Sequence, residues 1–123
     1  MTGDDCSTRV PLSGIQVTGH AKVVSHEQVW VLLQAPDVGR FYIPVGKPVD
    51  VDANGNWSEF VGGIGEAKDA EKRFTLVVVA ANLDAANTLA RTYANPLDPK
   101  DGAYLEALPV GSRPAAQACL IRT

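Results

Sequence analysis

The stretch Val49-Asp50-Val51-Asp52-Ala53-Asn54-Gly55-Asn56-Trp57-Ser58-Glu59-Phe60-Val61 decides how this chain is read. Val49 and Val51 alternate with Asp50 and Asp52, and a second strand-like run follows from Trp57 to Val61. Asp at the first position and Gly at the fourth of Asp52–Gly55 fit a type I turn followed by a left-handed glycine. That is the three-residue hairpin with a bulge. Its register sets Val51 against Trp57 and predicts a buried Trp57. A two-residue Asn54-Gly55 turn would instead oppose Asp50 to Glu59, and two facing carboxylates repel.

Outward from this hairpin the pattern stays β. In Gly14–Val24, Ile15, Val17, Ala21 and Val23 alternate with Gln16, Thr18, His20 and Lys22, the period of a half-buried strand. His20 falls on its polar side, and Ser25-His26-Glu27 reads as a turn. Val29-Trp30-Val31-Leu32-Leu33 is apolar at every position, as a strand covered on both faces must be. Turn chemistry over Ala35–Gly39 ends it, and Phe41-Tyr42-Ile43 is a short strand stopped by Pro44. Gly62-Gly63-Ile64-Gly65 reads as a crossing between sheets. Arg73–Ala81 is a second central strand, with Phe74, Leu76, Val78 and Ala80 on one face and Val77 and Val79 on the other.

Asn82 or Asp84 can cap a short helix near residues 83–93. Leu83, Ala86, Leu89, Ala90 and Tyr93 form its predicted packing stripe. Residues 95–114 hold Pro96, Pro99, Pro109 and Pro114 and read as one long loop, pinned by Tyr104, Leu105 and Leu108. Ala115–Arg122 is the last strand. About seven strands at roughly ten-residue spacing predict an all-β sandwich rather than an α/β fold. Residues 1–123 form a single domain in this reading, with 1–7 as a flexible lead.

Composition narrows the function classes. Hydrophobic residues make up 46% and charged residues 20%, as in soluble globular domains. The net charge of −3, with scattered Lys and Arg, argues against nucleic acid. No apolar run approaches bilayer length, so no membrane insertion is expected. The first residues lack the basic and apolar regions of a signal peptide, which would make a complete chain of this sequence cytoplasmic. Cys6 and Cys119 are either a disulfide pair or two reduced thiols, and the sequence leaves both readings open.

The ordered set Gly19, Val29-Trp30-Val31, Gly39-Arg40-Phe41-Tyr42, Asp52-Ala53-Asn54-Gly55-Asn56-Trp57-Ser58 and Phe74-Thr75-Leu76-Val77-Val78 resembles a group of bacterial immunoglobulin-like accessory domains. A closing segment like Leu108-Pro109-Val110-Gly111 belongs to the same pattern, which spans residues 10–122. The resemblance implies an immunoglobulin-like β-sandwich without a catalytic role. Such domains are generally appended to larger proteins.

Chemistry-bearing constellations are few. Asp50, Asp52 and Asn54 match the first half of a calcium loop, with Gly55 at its sixth position. The twelfth position is Val61 instead of a bidentate Glu, and hairpin turns favour the same residues, so a plain turn is the first reading and calcium the alternative. No other cofactor is expected. The Ser, Cys and His residues are dispersed and no Gly-x-Ser-x-Gly elbow occurs, so the chain does not read as an enzyme. Trp30, Tyr42 and Tyr104 are the candidate binding aromatics. The expected function is a non-catalytic interaction module with a protein partner. The alternatives are a structural subunit self-associating through an edge strand or the 95–114 loop, and a carbohydrate-binding module.

Overall fold

A computed structural model describes residues 8–22, 27–34, 40–62, 70–96 and 103–123. The strands are β1 (Thr8–Val10), β2 (Ile15–His20), β3 (Gln28–Gln34), β4 (Phe41–Tyr42), β5 (Asn56–Val61), β6 (Arg73–Ala81), β7 (Tyr104–Leu105) and β8 (Ser112–Arg122), with one helix, α1 (Leu83–Ala94). Six strands form a mixed sheet in the order β1-β8-β6-β3-β4-β7, and β2 pairs with β5 in a second, two-stranded sheet. β1 runs parallel to β8, while the other pairings are antiparallel.

The doubly apolar strands sit where their composition demands. β6 lies between β8 and β3, and β3 lies between β6 and β4. Val29, Val31 and Leu33 join Phe74, Leu76 and Val78 in one core with Trp57 and Val61 of β5. Trp30 and Leu32 join Val77, Val79 and Ala81 in a second core with Ala85, Ala86 and Leu89 of α1. The large sheet is thus covered by β2 and β5 on one face and by α1 on the other. Each fully buried Val or Leu contributes roughly 1.5–3 kcal/mol. A polar substitution in Val29–Leu33 of β3 or Leu76–Val79 of β6 would therefore damage a core whichever way it pointed.

The deciding hairpin has the predicted form. The Gly55 N–H donates to the Asp52 carbonyl at 3.0 Å, and the Asp52 N–H donates to the Asn56 carbonyl at 3.0 Å. Gly55 has φ of +85°, the left-handed region a side chain resists. Trp57 is only 6% exposed, and Val51 packs against the same core. One expectation fails here. Residues 50–52 are not a strand, because Val49 makes a single bridge to Val29 in the large sheet before the chain crosses to the small one.

Other boundaries also move. The stretch 95–114 is not one long loop, since β7 lies within it and β8 begins at Ser112. The stripe of α1 is rotated from its predicted position. Ala85, Ala86 and Leu89 are buried, whereas Leu83 is 65% and Tyr93 46% exposed. Small alanines let the helix sit close to β3 and β6, and this fixes its rotation more strongly than the larger apolar residues do. The turns at Ala35–Gly39 and Ser25–His26, the segment Gly63–Gly65 and the lead 1–7 lie outside the described residues.

Asn82 caps α1: its Oδ1 accepts the Ala85 N–H at 2.9 Å. Its own N–H donates to the Gly111 carbonyl at 2.9 Å, tying the helix start to the turn before β8. Asn82→Ala removes the side-chain acceptor and keeps the backbone link. It should lower unfolding stability by about 1 kcal/mol in chemical denaturation. An unchanged midpoint would show that the cap carries no weight.

Candidate aromatic site at the sheet edge

β4 and β7 are too short to be read from periodicity, but they bring two distant aromatics together. Tyr42 lies opposite Tyr104 in the β4–β7 ladder. Their ring centroids are 5.6 Å apart with planes tilted by 53°, an edge-biased geometry that suits the ring quadrupoles. Arg40 approaches from the residue before β4. Its guanidinium carbon stands 4.3 Å from the Tyr104 centroid, a cation–π contact. Glu106 closes the group, with its Oε1 3.6 Å from Arg40 Nε.

Sheet alternation explains why these side chains share one side. Phe41 and Leu105 pack towards the α1 core, so Tyr42 and Tyr104 turn to the opposite face. Tyr42 rests partly against the core beneath β2 and β5, which steadies its ring. A hydrogen bond with the Tyr42 side chain is the main cause that raises the Arg40 pKa above its ordinary value. The nearby Tyr104 and Glu106 act in the same direction, against a lowering by burial. Arg40 thus stays charged at any physiological pH. The cluster combines a fixed cation, two phenol hydroxyls and partly open ring surface on the last two strands at one end of the sheet. Those are the groups protein interfaces favour.

Trp30 does not belong to this set. It is 1% exposed and lies beneath α1, because its face of β3 is the helix-covered one. The expectation of Trp30 as a surface binding residue is therefore corrected. Neither doubly apolar face of that strand could have been chosen from the sequence. The sequence reading named Arg40 only within the resemblance motif and did not name Glu106, and the β4–β7 register brings both beside the tyrosines.

The residues considered for calcium lie in the hairpin. Asp52 Oδ1 accepts the Asn54 and Asn56 N–H groups, each at 2.9 Å. The Asn54 carbonyl accepts from His20 Nε2 at 2.8 Å. These contacts are those of a self-capped turn, with His20 docking β2 onto the hairpin. Asp50 and Asp52 line an open depression together with Thr18, Gly19, Asn56, Trp57 and Ser58. Trp57 offers that depression little ring surface, since its indole lies over Gly19. A sugar site built on stacking would lack its platform. Among the described residues, no group of three or more His, Cys, Asp or Glu side chains is gathered as for a metal ion.

Cys119, in β8, is disulfide-bonded. Cys6, the other cysteine of the sequence, lies outside the described residues. Among the described residues, no helix is long and apolar enough to cross a membrane. No family model, curated protein or solved structure matches the chain.

Proposed function

We propose that this chain is a non-catalytic, immunoglobulin-like interaction module that meets a protein partner at the β4–β7 edge. The observation that carries this reading is the stack of Arg40 over Tyr104 beside Tyr42. Arg and Tyr are enriched where interfaces draw most of their binding energy, and here they are held in place before any partner arrives.

The strand order supports the immunoglobulin-like part of the proposal. In that fold the second and fifth strands share one sheet, and the third, sixth and seventh share the other. β2–β5 and β3–β6–β8 reproduce those neighbours, with β4 extending the larger sheet beside β3. Two features depart from the common form. α1 intervenes between β6 and β8, and Trp30 faces this helix, leaving the inter-sheet core to Trp57. A bacterial accessory domain with an added helical cover fits both the resemblance and these departures.

The test is a comparison of baits. Tyr104→Ala and Arg40→Ala remove the ring and the cation from half-exposed positions, so the melting temperature should stay within a few degrees of the parent. A partner retained by the parent domain should then bind at least about ten-fold more weakly to either variant, as for an interface hot spot. Equal affinity for the parent and both variants would remove the β4–β7 edge as the binding face.

A further inference from the structure

We infer that Asn54 is a site of spontaneous deamidation, timed by the opening of the hairpin that leads into β5. This goes beyond the binding role proposed above, because it concerns the small sheet and needs no partner. The chemistry is internal. The Gly55 main-chain nitrogen attacks Cγ of Asn54, and the side-chain amide leaves as ammonia, carrying away the Gly55 proton. The new C–N bond closes a cyclic succinimide. Water then opens the ring at either carbonyl, which gives aspartate or isoaspartate. In sum, an amide and a water become a carboxylate and an ammonium ion.

Five asparagines occur in the chain, and Asn54 alone precedes a glycine. Glycine has no Cβ to shield its nitrogen from the incoming side chain. Asn56, Asn82 and Asn87 precede Trp57, Leu83 and Thr88, which are bulkier, and Asn95 precedes Pro96, which has no N–H. Two of these side chains are also committed elsewhere. Asn82 Oδ1 accepts the Ala85 N–H, and Asn95 Nδ2 donates to the Arg91 carbonyl at 3.2 Å. Asn87 lies inside α1, where helical bonds hold its backbone. Asn54 is exposed, and the hydrogen bonds it makes among the described residues are those of its backbone.

The fold sets the pace. Ring closure needs the peptide between Asn54 and Gly55 to rotate until its nitrogen faces Cγ, and the hairpin holds the groups on both sides of that rotation. The Asn54 N–H donates to Asp52 Oδ1 at 2.9 Å, and the Gly55 N–H donates to the Asp52 carbonyl at 3.0 Å. The Asn54 carbonyl accepts from His20 Nε2 at 2.8 Å, and the Gly55 carbonyl accepts the Ala21 N–H at 2.8 Å. Attack therefore waits for local opening, and each lost bond raises the open population. The isoaspartyl product adds a methylene to the backbone of a turn whose bonds depend on its spacing, so it loosens the docking of β2.

Peptide mapping by mass spectrometry, on folded protein held for weeks at neutral pH and body temperature, tests the site. Fragment ions should place the amide-to-acid mass gain at Asn54, ahead of the other asparagines, with isoaspartate present beside aspartate. Asp52→Ala removes the acceptor of the Asn54 and Asn56 N–H groups, and it should deamidate about five-fold faster or more, as for the loss of one ordinary hydrogen bond. Circular dichroism checks that it folds, and His20→Ala replaces it if it does not. Asn54→Gln, whose longer side chain closes a ring far more slowly, should show no gain at this position over the same period. An Asn54 that stays intact in the folded parent while the denatured parent converts overturns the inference. So does a gain shared equally among the asparagines, aspartate without isoaspartate, or equal rates in the parent and the loosened variant.

Discussion

Breaking the disulfide at Cys119 is expected to lower the melting temperature by roughly 10–20 °C. Cys119 is bonded and nearly buried in β8, one residue before the stretch that pairs with β1. A bond to Cys6 closes a loop spanning almost the whole sequence. In the chain-entropy account such a loop is worth about 4–5 kcal/mol, because the unfolded chain loses freedom while the folded one does not. β1 has the most to lose. Val10 is fully buried and its carbonyl accepts the Thr123 N–H at 2.8 Å, but the strand has only three residues. Its surface pair, Arg9 with Glu71, is solvent-exposed and adds little. Thermal melts of the parent with and without reductant, and of Cys119→Ser without it, give the measurement. Overlapping curves, or two titratable thiols in the unreduced denatured protein, would refute the staple.

What the sequence disclosed and what it hid follow from the length over which each signal is written. β3 and β6 were legible because seven and nine consecutive residues carry the imprint of both covering layers. The hairpin was legible because turn chemistry is local: Asp52 and Gly55 prescribe their own backbone. β1 and β7 left no trace, since three and two residues hold no period. They are strands only because β8 and β4 offer them an edge. The rotation of α1 was hidden for a related reason. Leu83 and Tyr93 look like packing residues until the closeness allowed by Ala85 and Ala86 is known.

The candidate site divides along the same line. Tyr42 and Tyr104 were singled out as aromatics, but their contact depends on a ladder between two strands too short to predict. Arg40 and Glu106 become meaningful only through it. Trp30 shows the opposite limit. With both faces of β3 apolar, alternation states that Trp30 opposes Val29 and Val31 without saying which side a helix will cover.

Trp57→Ala is expected to cost about 3–5 kcal/mol, the range for removing a large aromatic from a core. The more telling result concerns its partner. Trp57 stands opposite Gly19 in the β2–β5 ladder, and a methyl group at Gly19 would lie 2.6 Å from the indole Cζ2 and 2.8 Å from Cε2. A buried indole cannot swing aside without disturbing the core, so Gly19→Ala alone should cost roughly 1–3 kcal/mol through overpacking. In the Trp57→Ala background that clash is gone, and Gly19→Ala should cost almost nothing. The coupling from this double-mutant cycle should therefore be about 1–3 kcal/mol, well above the scatter of independent sites. Trp57→Phe separates volume from polarity. It deletes an indole N–H that is buried without a partner among the described residues, so it should cost much less than alanine. Urea denaturation of the four cycle members and Trp57→Phe gives all of these values. Additive single and double variants would mean that Gly19 and Trp57 do not share the contact on which this side of the core is built.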